Sequence, residues 1–142
     1  MLKYLLLIGV VLFSQIRGEL ITHTELHKNG RIDKITYHKK VLIKGVNGIV
    51  PVKLEEYYRN GTLYKEENYS KKYPYGYMES TTKWYKNGQK KMEEKYKDGK
   101  EDGVWTRWYE NGQKRSEETW KDGKRISSKT WYEDGSEMNW KE

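Results

Sequence analysis

The sequence predicts an all-β protein, in which repeated antiparallel β-hairpins form an elongated single-layer meander or solenoid-like sheet after an N-terminal signal helix. Three observations carry that prediction. Nine of the thirteen glycines directly follow Asn or Asp, at Gly30, Gly48, Gly61, Gly88, Gly99, Gly103, Gly112, Gly123 and Gly135. Such a pair suits a two-residue type I′ turn, whose central residues both need positive φ, so each pair reads as a chain reversal. The steps from Gly88 to Gly99, Gly112, Gly123 and Gly135 are 11, 13, 11 and 12 residues, room for one strand and its turn. A longer unit, Y/W-Y-x-N/D-G, starts at Tyr57, Trp84, Trp108 and Trp131, at offsets of 27, 24 and 23 residues. Two strands therefore make one repeat, and periods of this size imply a stacked array whose units cannot bury a face alone.

Taken in order, residues 1–18 read as a signal peptide. Met1-Leu2-Lys3 supplies a positive start, and the apolar run from Tyr4 to Phe13 is too short to span a bilayer comfortably. Cleavage is expected near Gly18, before Glu19, which predicts export to the periplasm, the cell surface or the medium; an uncleaved anchor is the alternative. Residues 19–50 form an N-terminal strand region with a degenerate repeat, marked by "LHKNG" from Leu26 to Gly30. Residues 51–142 hold the clear repeats, with turns expected at Asn60-Gly61, Asn87-Gly88, Asp98-Gly99, Asn111-Gly112, Asp122-Gly123 and Asp134-Gly135. The last unit is degenerate, since "RISSKTW" from Arg125 to Trp131 replaces the expected Gly-x-Trp, as a terminal cap would.

Composition closes several classes of function. The chain has no Cys, so it has neither a disulfide framework nor a thiolate metal site. Removing residues 1–18 takes Lys3 and Arg17 from 28 basic residues, leaving 26 against 21 acidic ones, a net charge of +5. Basic pairs at Lys90-Lys91 and Lys114-Arg115 alternate with acidic pairs at Glu66-Glu67, Glu93-Glu94 and Glu117-Glu118, which argues against a phosphate-binding groove and for solvated mixed-charge strands. His23 and His27 have the spacing of a helical metal pair but fall in a strand or loop, so they read as solvated. No G-x-S-x-G elbow or glycine-rich nucleotide loop occurs. The expectation is a protein that is not an enzyme, with no catalytic residue, no cofactor, no metal and no nucleic-acid partner.

From residue 51 onward there are 17 Trp and Tyr but only eight Val, Leu, Ile and Met, so aromatics must supply most of a thin core. Neighbouring strand residues point to opposite faces. Trp84 with Tyr85, Trp108 with Tyr109 and Trp131 with Tyr132 therefore give one ring to each side of the sheet. Either column is a candidate partner-binding surface, Tyr85, Tyr109 and Tyr132 or Trp84, Trp108 and Trp131, because Tyr and Trp bring large rigid area with a polar handle. Cross-strand packing is the competing role.

The run "YKDGKEDGVWTRWYENGQKRSEETWKDGK", from Tyr96 to Lys124, resembles the bacterial variant of the MORN repeat. The resemblance covers residues 57–135 well and 26–50 poorly. It implies a β-hairpin array used for contacts, without chemistry of its own, of the kind found in envelope proteins and in proteins labelled antitoxins of toxin–antitoxin systems. The expected function is an exported module mediating protein–protein contacts at the cell envelope or surface. A cytoplasmic antitoxin-like protein that masks a toxin and a weakly membrane-associating, lipid-binding repeat protein are the alternatives, and self-association is compatible with each.

Overall fold

A computed structural model describes residues 6–7, 10–11, 13–17, 20–43, 46–70 and 76–139. In chain order the strands are β1 (Leu6–Leu7), β2 (Val10–Val11), β3 (Phe13–Arg17), β4 (Leu20–Leu26), β5 (Ile32–Ile43), β6 (Val46–Tyr57), β7 (Leu63–Tyr69), β8 (Met78–Trp84), β9 (Lys90–Lys97), β10 (Lys100–Glu101), β11 (Gly103–Trp108), β12 (Lys114–Lys121) and β13 (Lys124–Thr130). Ten of them, β3 to β9 and β11 to β13, follow one another across a single sheet in sequence order, while β10 pairs with β9 off that path and β1 pairs with β2. Every pairing is antiparallel, which is the expected meander. The described residues contain no helix. The signal helix expected over residues 1–18 is therefore not seen: those of its residues that are described are extended, with Ile16 paired to Ile21 across β3 and β4. Gly18 and Glu19 lie outside the described residues.

Two kinds of turn alternate along the chain, and only one is the expected type. At Asp98-Gly99 and Asp122-Gly123 both residues have positive φ, 50° and 80°, then 49° and 81°. They join Lys97 to Lys100 and Lys121 to Lys124 as two-residue type I′ turns. At Asn60-Gly61, Asn87-Gly88, Asn111-Gly112 and Asp134-Gly135 the glycine alone has positive φ. There the Gly61 N–H donates to the Tyr58 carbonyl and the Tyr58 N–H to the Thr62 carbonyl, both at 2.8 Å, making a three-residue loop with a glycine bulge. The Asn is chosen for its side chain, not for a left-handed backbone: its Oδ1 accepts from the N–H two residues on, at 3.0 Å for Asn60 and 2.9 Å for Asn87 and Asn111. Asn29-Gly30 makes the same turn, with His27 in the tyrosine's place.

Two of the nine pairs are not reversals. Asn47-Gly48 lies inside β6, opposite Leu42 and Val41. Asp102-Gly103 interrupts the strand between β10 and β11, where Glu101 faces Tyr96 but Thr106 faces Glu93, so the glycine sits in a bulge.

One layer leaves little interior. Among the described residues the buried apolar side chains are Val50 and Trp105, the buried polar ones are Thr81, Glu94 and Thr106, and no side chain is fully enclosed. The expected thin core is thinner than a count of rings implies, because the aromatics are half-buried on two faces.

Candidate functional site: the aromatic columns and the turn ladder

The Asn-Gly turns stack along one edge of the sheet and are stitched together in one direction. Each tyrosine that opens a turn reaches the next turn: the Tyr58 hydroxyl donates to the Trp84 carbonyl at 3.0 Å, Tyr85 to Trp108 at 2.8 Å and Tyr109 to Trp131 at 2.9 Å. The asparagine amides repeat the link. Asn29 Nδ2 donates to the Arg59 carbonyl at 3.3 Å, Asn87 to Glu110 and Asn111 to Glu133 at 2.9 Å. Burial raises the Tyr85 phenol, the Arg115 charge opposes that shift, and Glu110 and Glu133 add to it. Tyr132 stands in the last turn, exposed, with a carboxylate at Asp134 where earlier turns carry an amide.

A register shift follows each turn, beside Trp84 in β8 and Trp108 in β11, and leaves Lys91 and Arg115 as the extra residue of their strands. Those two cations lie over the tyrosine of their own turn, Lys91 5.4 Å from the Tyr85 ring and Arg115 5.7 Å from Tyr109. Their neighbours reach forward instead, Lys90 to within 5.8 Å of the Trp108 ring and Lys114 to within 5.5 Å of Trp131. Each basic pair thus serves both ring columns, a role that sequence reasoning missed although the constant spacing from each Trp-Tyr pair was its signal.

The acidic pairs, expected from sequence to be solvated, are divided: Glu93 and Glu117 keep about a third of their side chains in water, whereas Glu94 and Glu118 do not. Glu93 and Glu117 pair with Lys90 and Lys114 at 2.9 and 2.6 Å. Glu94, only 7% exposed, accepts from Tyr96 at 2.8 Å and from Arg107 at 2.9 Å, while Glu118 lies 3.8 Å from Arg107 and 3.4 Å from Arg125. A guanidinium from the intervening strand neutralises carboxylates on both sides, which lets them leave water. Around this network Trp105 packs on Tyr96 and Trp120, with centroids 5.2 and 5.1 Å apart, so the true ring core is centred on Trp105. Trp84, Trp108, Trp131, Tyr85 and Tyr109 are half-buried.

Among the described residues no group of three or more His, Asp or Glu is placed to hold a metal ion. No helix among them is long and apolar enough to cross a membrane.

Residues 52–71 and 101–122 match the family model described as the MORN repeat variant, so the chain carries repeats of that type in those two stretches, which suggests a repeat module for protein or membrane contacts. No curated protein matches the sequence. Among solved structures, the pneumococcal O-GlcNAc transferase GtfA in complex with UDP and GlcNAc is 15% identical with a TM-score of 0.46, and a GtfA/B complex is 10% identical with a TM-score of 0.47. Each match covers 72% of this chain and 19% of the other, so the chain spans about a fifth of their length. Neither likeness bears on what this chain does.

Proposed function

We propose that this chain, with its MORN-variant repeats, is an exported, non-enzymatic module that docks a protein of the cell envelope or surface. The observation that supports the reading is the two-sided sheet: its rings are half-buried and, among the described residues, it encloses no side chain fully, so a partner laid on one face would complete the burial that the fold leaves open. The hydroxyls of Tyr85 and Tyr109 are spent on the ladder. The column of Trp84, Trp108 and Trp131, ending beside the exposed Tyr132, is the better docking surface. Export rests on the basic start and apolar run of residues 1–18.

The test is crosslinking in cells of a C-terminally tagged chain, with mass spectrometry of the captured partner and of the chain's own N-terminus. A start at or near Glu19 with an envelope protein attached, lost on replacing Trp108 with Ala, supports the module. A start at Met1 with a cytoplasmic toxin attached replaces it with the antitoxin-like reading.

A second reading, contact with a membrane surface, is favoured by one feature. β5 and β6 run 12 residues where β4 and β7 run 7, so residues 40–43 and 46–50 extend past both neighbours. Leu42 is 71% and Ile49 55% exposed on that arm, and residues 34–54 contain five lysines and no acid. Co-sedimentation with anionic vesicles, abolished by Leu42→Ser with Ile49→Ser, would favour this reading; equal recovery with neutral and anionic vesicles would remove it.

A further inference from the structure

The histidines do not pair as their sequence spacing suggests. His27 is engaged by the turn ladder, its Nε2 3.0 Å from the Tyr57 carbonyl and 3.3 Å from Asp33 Oδ1. His23 on β4 instead meets His38 on β5, a diagonal contact in a register where His23 faces Thr36 and Ile21 faces His38. Their ring centroids are 5.2 Å apart and the planes perpendicular.

We propose that His23 and His38 form a binding site for a first-row divalent metal ion of the Zn2+ or Cu2+ class, with two imidazole ligands from neighbouring strands and water completing the shell. The separation is the first argument. Two imidazoles on one tetrahedral ion, with metal–nitrogen bonds of about 2.0–2.1 Å, hold their centroids about 5 Å apart. The strands already set that distance. The second argument is an unmet polar atom: His38 Nδ1 is buried and has no hydrogen-bond partner, a costly state that an ion or a water held at that same nitrogen would account for. Imidazole pairs suit Cu2+, Zn2+ and Ni2+, and the chain has no thiol to compete. A bound ion would cross-link β4 to β5, far from the Trp105 core.

The test uses the full chain without a polyhistidine tag, titrated with Zn2+ by calorimetry, with ring-nitrogen NMR of the histidines. Wild type and His27→Gln should bind one ion, with melting temperature raised and the His23 and His38 ring nitrogens shifted together. His23→Gln and His38→Gln should each weaken binding at least tenfold while keeping the apo circular dichroism spectrum. Unchanged Zn2+ affinity in either of those variants, or its loss in His27→Gln, overturns the proposal. If His38→Gln fails to fold, the wild-type ring signals decide: no Zn2+-dependent shift of the His23 and His38 nitrogens refutes the site.

Discussion

A single hydroxyl per repeat does much of the stitching between turns. Removing the one on Tyr109, by Tyr109→Phe, leaves the ring in place but strips the Trp131 carbonyl of a donor 2.9 Å away, and should cost about 1 kcal/mol in urea unfolding. The Tyr132 ring is exposed, so Tyr132→Phe should leave the midpoint unchanged. Carboxylates carry a second residue-scale effect. Glu55 accepts from Tyr37 and Tyr57 at 2.8 Å and meets Lys53 at 2.7 Å. Burial alone would raise its carboxyl, but bonds from Lys53, Tyr57 and Tyr37 outweigh that and hold it below the usual range. Because its folded value is depressed, Glu55 contributes stability that is complete above the unfolded carboxylate range and is lost as pH falls through the folded value. Melting temperature should therefore drop on acidification below that range, and Glu55→Gln should flatten part of the drop; an identical slope in the variant would assign it elsewhere.

At the scale of turns and strands, positions were legible in the sequence and turn types were not. The glycine rhythm located the reversals at Gly61, Gly88, Gly99, Gly112, Gly123 and Gly135, because a residue with φ near +80° is nearly always glycine. Asn-Gly and Asp-Gly look alike on that criterion, yet Asn29, Asn87 and Asn111 donate to a neighbouring turn, which a carboxylate cannot do, whereas Asp98 and Asp122 themselves take a positive φ in two-residue turns. Glu94 and Glu118 were not separable from their solvated neighbours Glu93 and Glu117 in the sequence, because the Arg107 that neutralises them comes from another strand, a relation that only register reveals. The turns also rank by what surrounds them. Gly88→Ala meets open space and should cost about 1–2 kcal/mol from its φ of +86° alone. Gly99→Ala should cost more, since its new Cβ would lie 3.2 Å from the Tyr77 ring, and paired thermal melts of the two variants check the order.

Across the whole molecule, each repeat touches only its neighbours in the sheet, so stability should behave as a sum of local terms rather than as one all-or-none core. Burial is uneven along that sum, and from β8 onward it falls toward the last strand: Thr81, Glu94, Trp105 and Thr106 are buried within β8, β9 and β11, whereas in β13 every side chain from Lys124 to Lys129 is exposed. Few buried contacts mean a low free energy of local opening. Native-state hydrogen exchange should then show, among β8 to β13, amide protection greatest in β8, β9 and β11 and falling through β12 to β13. The hydroxyl deletions Tyr58→Phe and Tyr109→Phe, which share no partner, should add within a few tenths of a kcal/mol. Uniform protection across all strands, together with strong coupling between those two distant deletions, would mean that the sheet unfolds as one unit and that the ladder transmits strain along its full length.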